Sequence, residues 1–217
     1  MAFWEDWCKR GGCCDCDGSC SGKDCAIWTA VVAGVGGLVV LLVFAFALVF
    51  TPKVRAEDAV LQRFALAPGS PASNSTISYN VTVTLSLRNP NLYRGINYDP
   101  LAVAFSFNGS RFDESATVPA FYHRPRKTAT FHITVGGADK PVKLAAAGVT
   151  AFKTQNASAK FNVDLRLDTV MRYKGRTTRC PLAVICPLQL QLVDPEVAAT
   201  VFQRTKCTIL RAKMSGC

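Results

Sequence analysis

Histidine is scarce in this sequence, with His123 and His132 alone among 217 residues. Neither lies in a sequence context typical of a catalytic base, and no G-x-S-x-G, phosphate-binding-loop or metalloprotease motif occurs. The carboxylates form no close pair of the kind that glycosidases use. We therefore predict that the protein is not an enzyme and holds no cofactor or catalytic metal.

Acidic residues are also few, with 15 Asp and Glu against 25 Lys and Arg. The imbalance lies in residues 51–217, which hold 22 basic and 10 acidic residues, whereas residues 1–25 hold three basic and five acidic ones. The glycosylation sequons described below predict that this basic part lies outside the cell. Its expected binding partners are therefore acidic polymers or anionic membrane surfaces rather than nucleic acid. The alternative is an ordinary solvated surface that has no acidic partner.

Residues 26–50 contain no charge, Asn, Gln or Pro. A helix of 25 such residues is long enough to span a bilayer, and the run is too long and too far from the N-terminus for a cleaved signal peptide. We predict a single transmembrane signal-anchor helix. The small-xxx-small pairs Ala30/Gly34 and Ala33/Gly37 would allow two such helices to associate, so a homo-oligomer is a further expectation.

Four N-glycosylation sequons follow this run and none precedes it. Their acceptors are Asn74, Asn80, Asn108 and Asn156. Lys and Arg flank the run on both sides, so the positive-inside rule does not fix its orientation. The sequons predict a type II protein whose N-terminus is cytosolic and whose residues 51–217 lie outside the cell.

Six of the ten cysteines lie in residues 1–25. Cytosolic cysteines near a membrane helix are candidates for palmitoylation. The candidates here are Cys13, Cys14, Cys16, Cys20 and Cys25. Zinc bound at the C-x-x-C of this tail, or unmodified reduced thiols, remain alternatives.

The four late cysteines fall in the part of the chain predicted to be in an oxidising compartment, where disulfides persist. They are Cys180, Cys186, Cys207 and Cys217. A Cys186–Cys207 bridge between neighbouring strands is the preferred hypothesis. The sequence also permits the other pairings.

Residues 76–88 alternate apolar and polar side chains with period two, which predicts a half-buried antiparallel strand. Further strands are predicted at 60–66, 101–107, 129–135, 161–167, 188–192 and 205–212. About seven short strands separated by turn signals are typical of an all-β sandwich. Residues 142–152 have a helical composition and predict one short crossover helix.

Two polar loops interrupt these strands. The loop "RNPNLYRGINYD" is interpreted as structural, because Pro90 stops the strand and its Asn side chains suit the capping of turn amides. The loop "FYHRPRK" is predicted to be exposed, and it makes Tyr122, His123, Arg124, Arg126 and Lys127 a candidate contact site for an anion or headgroup. A solvated loop without a partner is the alternative.

The order of these motifs resembles the plant NDR/HIN-like family. A Cys-rich tail and one membrane helix precede "LRNPNLYRGINYD", "FNGSRFDE", "PAFYHRPRKTAT" and a late "CPLQLQL…FQRTKC". The resemblance implies a late-embryogenesis-abundant group 2 domain with an immunoglobulin- or fibronectin-III-like β-sandwich. Its motif positions are Asn89, Pro90, Asn91, Tyr98 and Asp99, and its late Cys pair is Cys186 and Cys207. The "HRPRK" segment departs from the Gln/Gly/His/Asn-rich loop of the family.

The resulting expectation is a cytosolic tail at 1–25, an anchor helix at 26–50 and an extracellular sandwich at 51–217. The resemblance implies a plasma-membrane protein of plant defence, involved in pathogen-triggered signalling and hypersensitive cell death. It would act by contact with proteins or acidic cell-wall polymers rather than by catalysis. The alternative is a membrane-anchored module for abiotic stress, desiccation or lipid binding.

Overall fold

The computed structural model describes residues 22–43, 49–67, 75–193 and 202–211. The chain divides into two compact units, with the boundary between Leu48 and Val49. The first unit contains helix α1 (Gly22–Leu42). The second contains, within the described residues, twelve strands and helix α2 (Ala146–Ala157).

Helix α1 differs from the predicted anchor helix in its bounds. It includes residues 26–42 of the uncharged run, and residues 44–48 of that run lie outside the described residues. Among the described helices, none is both long and apolar enough to span a bilayer. The large apolar side chains along α1, including Ile27, Val35 and Leu41, are exposed.

The strands of the second unit vary widely in length. They are β1 (Lys53–Leu66), β2 (Ser75–Arg88), β3 (Ile96–Tyr98), β4 (Leu101–Phe107), β5 (Ser110–Asp113), β6 (Thr117–Val118), β7 (Phe121–His123), β8 (Thr128–Val142), β9 (Lys160–Tyr173), β10 (Cys180–Gln191), β11 (Thr205–Lys206) and β12 (Thr208–Arg211). The four short strands β3, β5, β6 and β7 were not predicted, because runs of two to four residues show no clear period. Strand 205–212 is divided at Cys207.

One sheet has four antiparallel strands in the order β11-β1-β2-β8. The period-two interpretation of 76–88 is confirmed, since the alternate apolar side chains of β2 are buried. These are Ile77, Tyr79, Val81, Val83, Leu85 and Leu87.

The other sheet has eight strands around the pair β10 and β9. On the edge of β9 that does not pair with β10, β3 pairs with the end of β9 near Tyr173 and β4 pairs with the first half of β9. Asp99 and Pro100 therefore separate two strands that lie on the same edge of β9. Strand β7 adds to β3, and β5 and β6 add to β4.

The apolar faces of both sheets form one hydrophobic core. Phe64 of β1 packs against aromatic rings of the second sheet, with its ring centroid 4.8 Å from that of Phe161 and 5.5 Å from that of Phe107. Helix α2 contributes Phe152 to the same cluster. The domain is a mostly β two-sheet sandwich, and α2 corresponds to the short helix predicted at 142–152.

Candidate functional site

Two buried asparagines of the NPN segment hold the end of the sandwich where β2 ends. Asn89 and Asn91 are 0% and 2% exposed. The Asn89 Nδ2 donates a hydrogen bond of 2.9 Å to the carbonyl of Arg94, and weaker ones of 3.4 and 3.3 Å to the carbonyls of His123 and Arg124. The Asn89 Oδ1 accepts from the backbone N–H and the Nδ2 of Asn91, at 3.1 and 2.9 Å.

The same network fixes the point where the chain enters the sandwich. Asn91 accepts a hydrogen bond from the Phe50 N–H at 2.7 Å and donates one to the Phe50 carbonyl at 2.9 Å. The buried Tyr173 hydroxyl donates to this carbonyl too, at 3.2 Å. The NPN asparagines thus cap backbone groups of three separate chain segments, which is a structural role.

The loop predicted to make contacts lies against this network. The Asn89 N–H donates to the Lys127 carbonyl at 3.0 Å, and the Arg126 N–H donates to the Asn91 carbonyl at 3.1 Å. Arg126 has a φ of 59° at the third position of a turn whose second residue is Pro125. The side chains of Arg124, Arg126 and Lys127 are exposed.

His123 departs from the predicted exposure of this loop. Alternation along β7 turns Tyr122 outward, 45% exposed, and His123 inward, 3% exposed. The His123 Nε2 lies 2.9 Å from the Lys127 carbonyl oxygen, so it carries the proton and donates. Burial lowers the pKa of His123, and the hydrogen bond to Lys127 offsets part of this effect. His123 therefore belongs to the frame of the loop.

A third loop, after β9, completes this end. The Lys174 N–H donates to the Gly95 carbonyl at 2.9 Å, and the Lys174 Nζ lies 5.9 Å from the ring centroid of Tyr122. The Tyr122 ring covers the backbone of Gly95, where an added Cβ would lie 2.1 Å from the Tyr122 hydroxyl oxygen. A side chain at position 95 would therefore displace Tyr122.

We name residues 89–95, 122–127 and 173–179 the basic end. They contain seven Lys and Arg and no Asp or Glu. In the described part of the second unit, six large apolar side chains are exposed. Three of them belong to the basic end, and a fourth belongs to Phe50, which is hydrogen-bonded to the basic end. These four are Phe50, Leu92, Tyr93 and Tyr122. The basic end therefore combines cations with exposed apolar groups.

Tyr98 and Asp99, the other motif residues, lie beside the basic end. The Tyr98 ring is 2% exposed and stacks on Phe121 at 4.9 Å between centroids. Its hydroxyl has no hydrogen-bond partner among the described residues, and burial raises its pKa. The Asp99 N–H donates to the Val170 carbonyl at 2.9 Å, which joins the β3–β4 break to β9. Both residues contribute to the fold.

The late cysteines stabilise the edge of the eight-stranded sheet. Cys186 of β10 forms a disulfide with Cys207, with an S–S distance of 1.98 Å, as the preferred hypothesis states. Cys180 is also disulfide-bonded. Cys217 lies outside the described residues.

The candidate modification sites are described in part. Asn108 is exposed at the Asn108–Gly109 turn, and Asn156 is exposed near the end of α2. Asn80 is half-buried, and its Nδ2 donates to the Gln62 Oε1 at 2.7 Å. Asn74 lies outside the described residues, as do the palmitoylation candidates Cys13, Cys14, Cys16 and Cys20, and the side chain of Cys25 is not described.

Sequence reasoning missed two contributors to the basic end. The segment "YKGRTTR" at 173–179 carries three cations after a predicted strand, so its charge was a usable signal. Phe50 was assigned to the anchor, and its bonds to Asn91 could be found only from the fold.

Comparison with known proteins identifies the class of this domain. The profile of the family described as "Late embryogenesis abundant protein" matches residues 84–185. NDR1/HIN1-like protein 3 of Arabidopsis thaliana is 26% identical over 93% of this chain and 89% of its own length. NDR1/HIN1-like protein 10 of that plant is 26% identical over 70% of this chain and 67% of its own. NDR1/HIN1-like protein 2 is 29% identical over 58% of this chain and 51% of its own.

The protein therefore carries a late embryogenesis abundant domain. Over most of its length it is a distant homologue of the Arabidopsis NDR1/HIN1-like proteins, which confirms the family resemblance. The match to protein 3 covers 93% of this chain, so the likeness reaches well beyond residues 84–185, which the family profile matches.

Proposed function

We propose that this chain is a type II plasma-membrane protein of plant defence that acts by contact rather than by catalysis. Residues 26–50 would anchor it, with residues 1–25 in the cytosol and the β-sandwich outside the cell. Its partners would be proteins or acidic cell-wall polymers, and its role would lie in pathogen-triggered signalling and hypersensitive cell death.

Three features support the anchoring. The 25 residues from 26 to 50 hold no charge. The large apolar side chains along α1 are exposed, and a helix that is apolar all round needs a lipid or protein environment to cover it. The sequons follow this segment, and two of their acceptors, Asn108 and Asn156, are exposed and accessible for glycan addition.

The observation that favours binding over catalysis is the construction of the basic end. Buried side chains, Asn89 and Asn91 above all, form hydrogen bonds with the backbone of the loops that carry the exposed Arg, Lys and Tyr residues. Arg, Lys and Tyr suit recognition, whereas the His123 imidazole beside them is 3% exposed and bonded to a backbone carbonyl. This arrangement favours binding over acid–base chemistry.

The proposal is tested in plant cells that lack the protein and in the same cells after the full chain is restored. Restoration should increase the number of wall-attachment strands during plasmolysis and should strengthen the cell-death response to an avirulent pathogen. Equal attachment and equal cell death with and without the chain would contradict the proposed function.

A further inference from the structure

We propose that the basic end docks on the anionic phosphate headgroups of the membrane in which the chain is anchored. The inference rests on the anchoring proposed above and names the partner of this surface. It leaves the other surfaces of the sandwich for protein or wall partners.

The connectivity of the chain brings the basic end to the membrane surface. Phe50 is the last residue of the uncharged run 26–50, and both of its backbone polar groups are bonded to Asn91. Consecutive Cα atoms lie about 3.8 Å apart, so a chain that leaves a bilayer near residue 50 has no spacer before the sandwich begins. With residues 26–50 in the bilayer, as proposed above, the loops that share the network with Asn91 would start next to the headgroups.

The charge of the basic end matches a layer of phosphates. Seven Lys and Arg lie in its three loops with no carboxylate among them. Each cation close to an anionic membrane surface strengthens binding by roughly fivefold. Arg124, Arg126 and Lys127 are all exposed within one stretch of four residues. We therefore expect these three cations together to contribute most to membrane binding.

The exposed apolar groups distinguish a membrane from an acidic polysaccharide. Four of the six large apolar side chains exposed in the described part of the second unit belong to the loops of the basic end or to Phe50, which is hydrogen-bonded to Asn91. Rings such as those of Tyr93 and Tyr122 suit the boundary between headgroups and acyl chains, where an apolar body and a polar tip are both accommodated. A hydrated acidic polymer would match the cations but would leave Phe50 and Leu92 without an apolar partner.

The test uses the full chain in lipid nanodiscs and follows hydrogen exchange in peptides that cover 89–95 and 122–127. One set of discs contains phosphatidylcholine, and the other an equimolar mixture of phosphatidylcholine and phosphatidylserine. We expect slower exchange of both loops in the anionic discs at about 0.1 M salt, and loss of this difference near 1 M salt, where the Debye length falls from about 10 to 3 Å.

Two charge-matched variants separate docking from a general charge effect. R124E/R126E/K127E reverses three cations of the basic end, and K140E/K143E/K153E reverses three exposed lysines at the opposite end of the sandwich. The first variant should lose the protection from hydrogen exchange, because it removes three cations that each strengthen membrane binding about fivefold. The second variant should retain the protection.

Several results would overturn the inference. Equal exchange in neutral and anionic discs, or equal loss of protection in both variants, would do so. Protection of the same loops by polygalacturonate in neutral discs, with none from phosphatidylserine, would show that the basic end binds an acidic polymer instead of the membrane. Failure of the chain to co-purify with neutral discs would refute the anchoring as well, and that result is distinct from a chain that inserts without docking.

Discussion

Replacement of Asn89 by Ala removes the centre of the network that organises the basic end. The side chain makes strong hydrogen bonds to the Arg94 carbonyl and to the backbone N–H and Nδ2 of Asn91, at 2.9, 3.1 and 2.9 Å. It is 0% exposed, so water cannot replace these contacts without rearrangement of the loop.

The expected cost follows from these contacts. Each hydrogen bond contributes about 1 kcal/mol net, and a buried partner left unsatisfied costs about 1–3 kcal/mol, so the loss of unfolding free energy should be about 3–5 kcal/mol. A domain of this size loses about 2–4 °C in Tm per kcal/mol, so N89A should melt about 10 °C lower.

The assay is thermal unfolding of the full chain in detergent micelles, followed by far-UV circular dichroism with the disulfides intact. The matched control is N97A, because Asn97 is exposed on β3 and its replacement should change Tm by less than about 2 °C. A shift in N89A as small as that in N97A would refute the assignment of Asn89 as the structural centre of this end.

Three further perturbations test other parts of the fold. The double replacement C186A/C207A opens a disulfide with a sequence separation of 21, which should cost about 3 kcal/mol in urea unfolding, and an unchanged midpoint would contradict this. G95A should destabilise the chain by about 1–3 kcal/mol because its Cβ would meet Tyr122, and the cost should fall in a Y122A background; an equal cost in both backgrounds would contradict the contact. Burial places the pKa of folded His123 below its usual 6.5, so the unfolded state binds the proton more readily, and the free energy of unfolding should fall as pH is lowered below about 6.5. The H123Q variant should lose this dependence of the unfolding free energy on pH between pH 7 and about 5.5. The control variant H132Q, which replaces the exposed histidine, should retain it.

The long strands could be predicted from sequence because their burial follows the period-two pattern. Strand β2 is the clearest case, since its alternate apolar residues are all buried against the second sheet. The short strands β3 and β7 could not be predicted, because three residues define no period and their pairing depends on β9 and on each other.

The candidate site was predictable in part. The cations of "HRPRK" were visible in the sequence, and Arg124, Arg126 and Lys127 are exposed as expected. The inward orientation of His123 was not predictable, because it depends on the pairing of β7 with β3, which places Ile96 opposite His123. The junction between Phe50 and Asn91 joins residues 41 positions apart, and no local pattern indicates such a contact.

The central claim is that the sandwich lies outside the cell on a chain anchored through residues 26–50. Protease protection of the full chain in sealed microsomes, combined with an endoglycosidase shift, tests this most directly. The account predicts that residues 51–217 are protected from added protease and that the band shifts on deglycosylation, with the shift reduced in N108Q and N156Q because both acceptors are exposed. Digestion of residues 51–217 together with an unshifted band would contradict the claim.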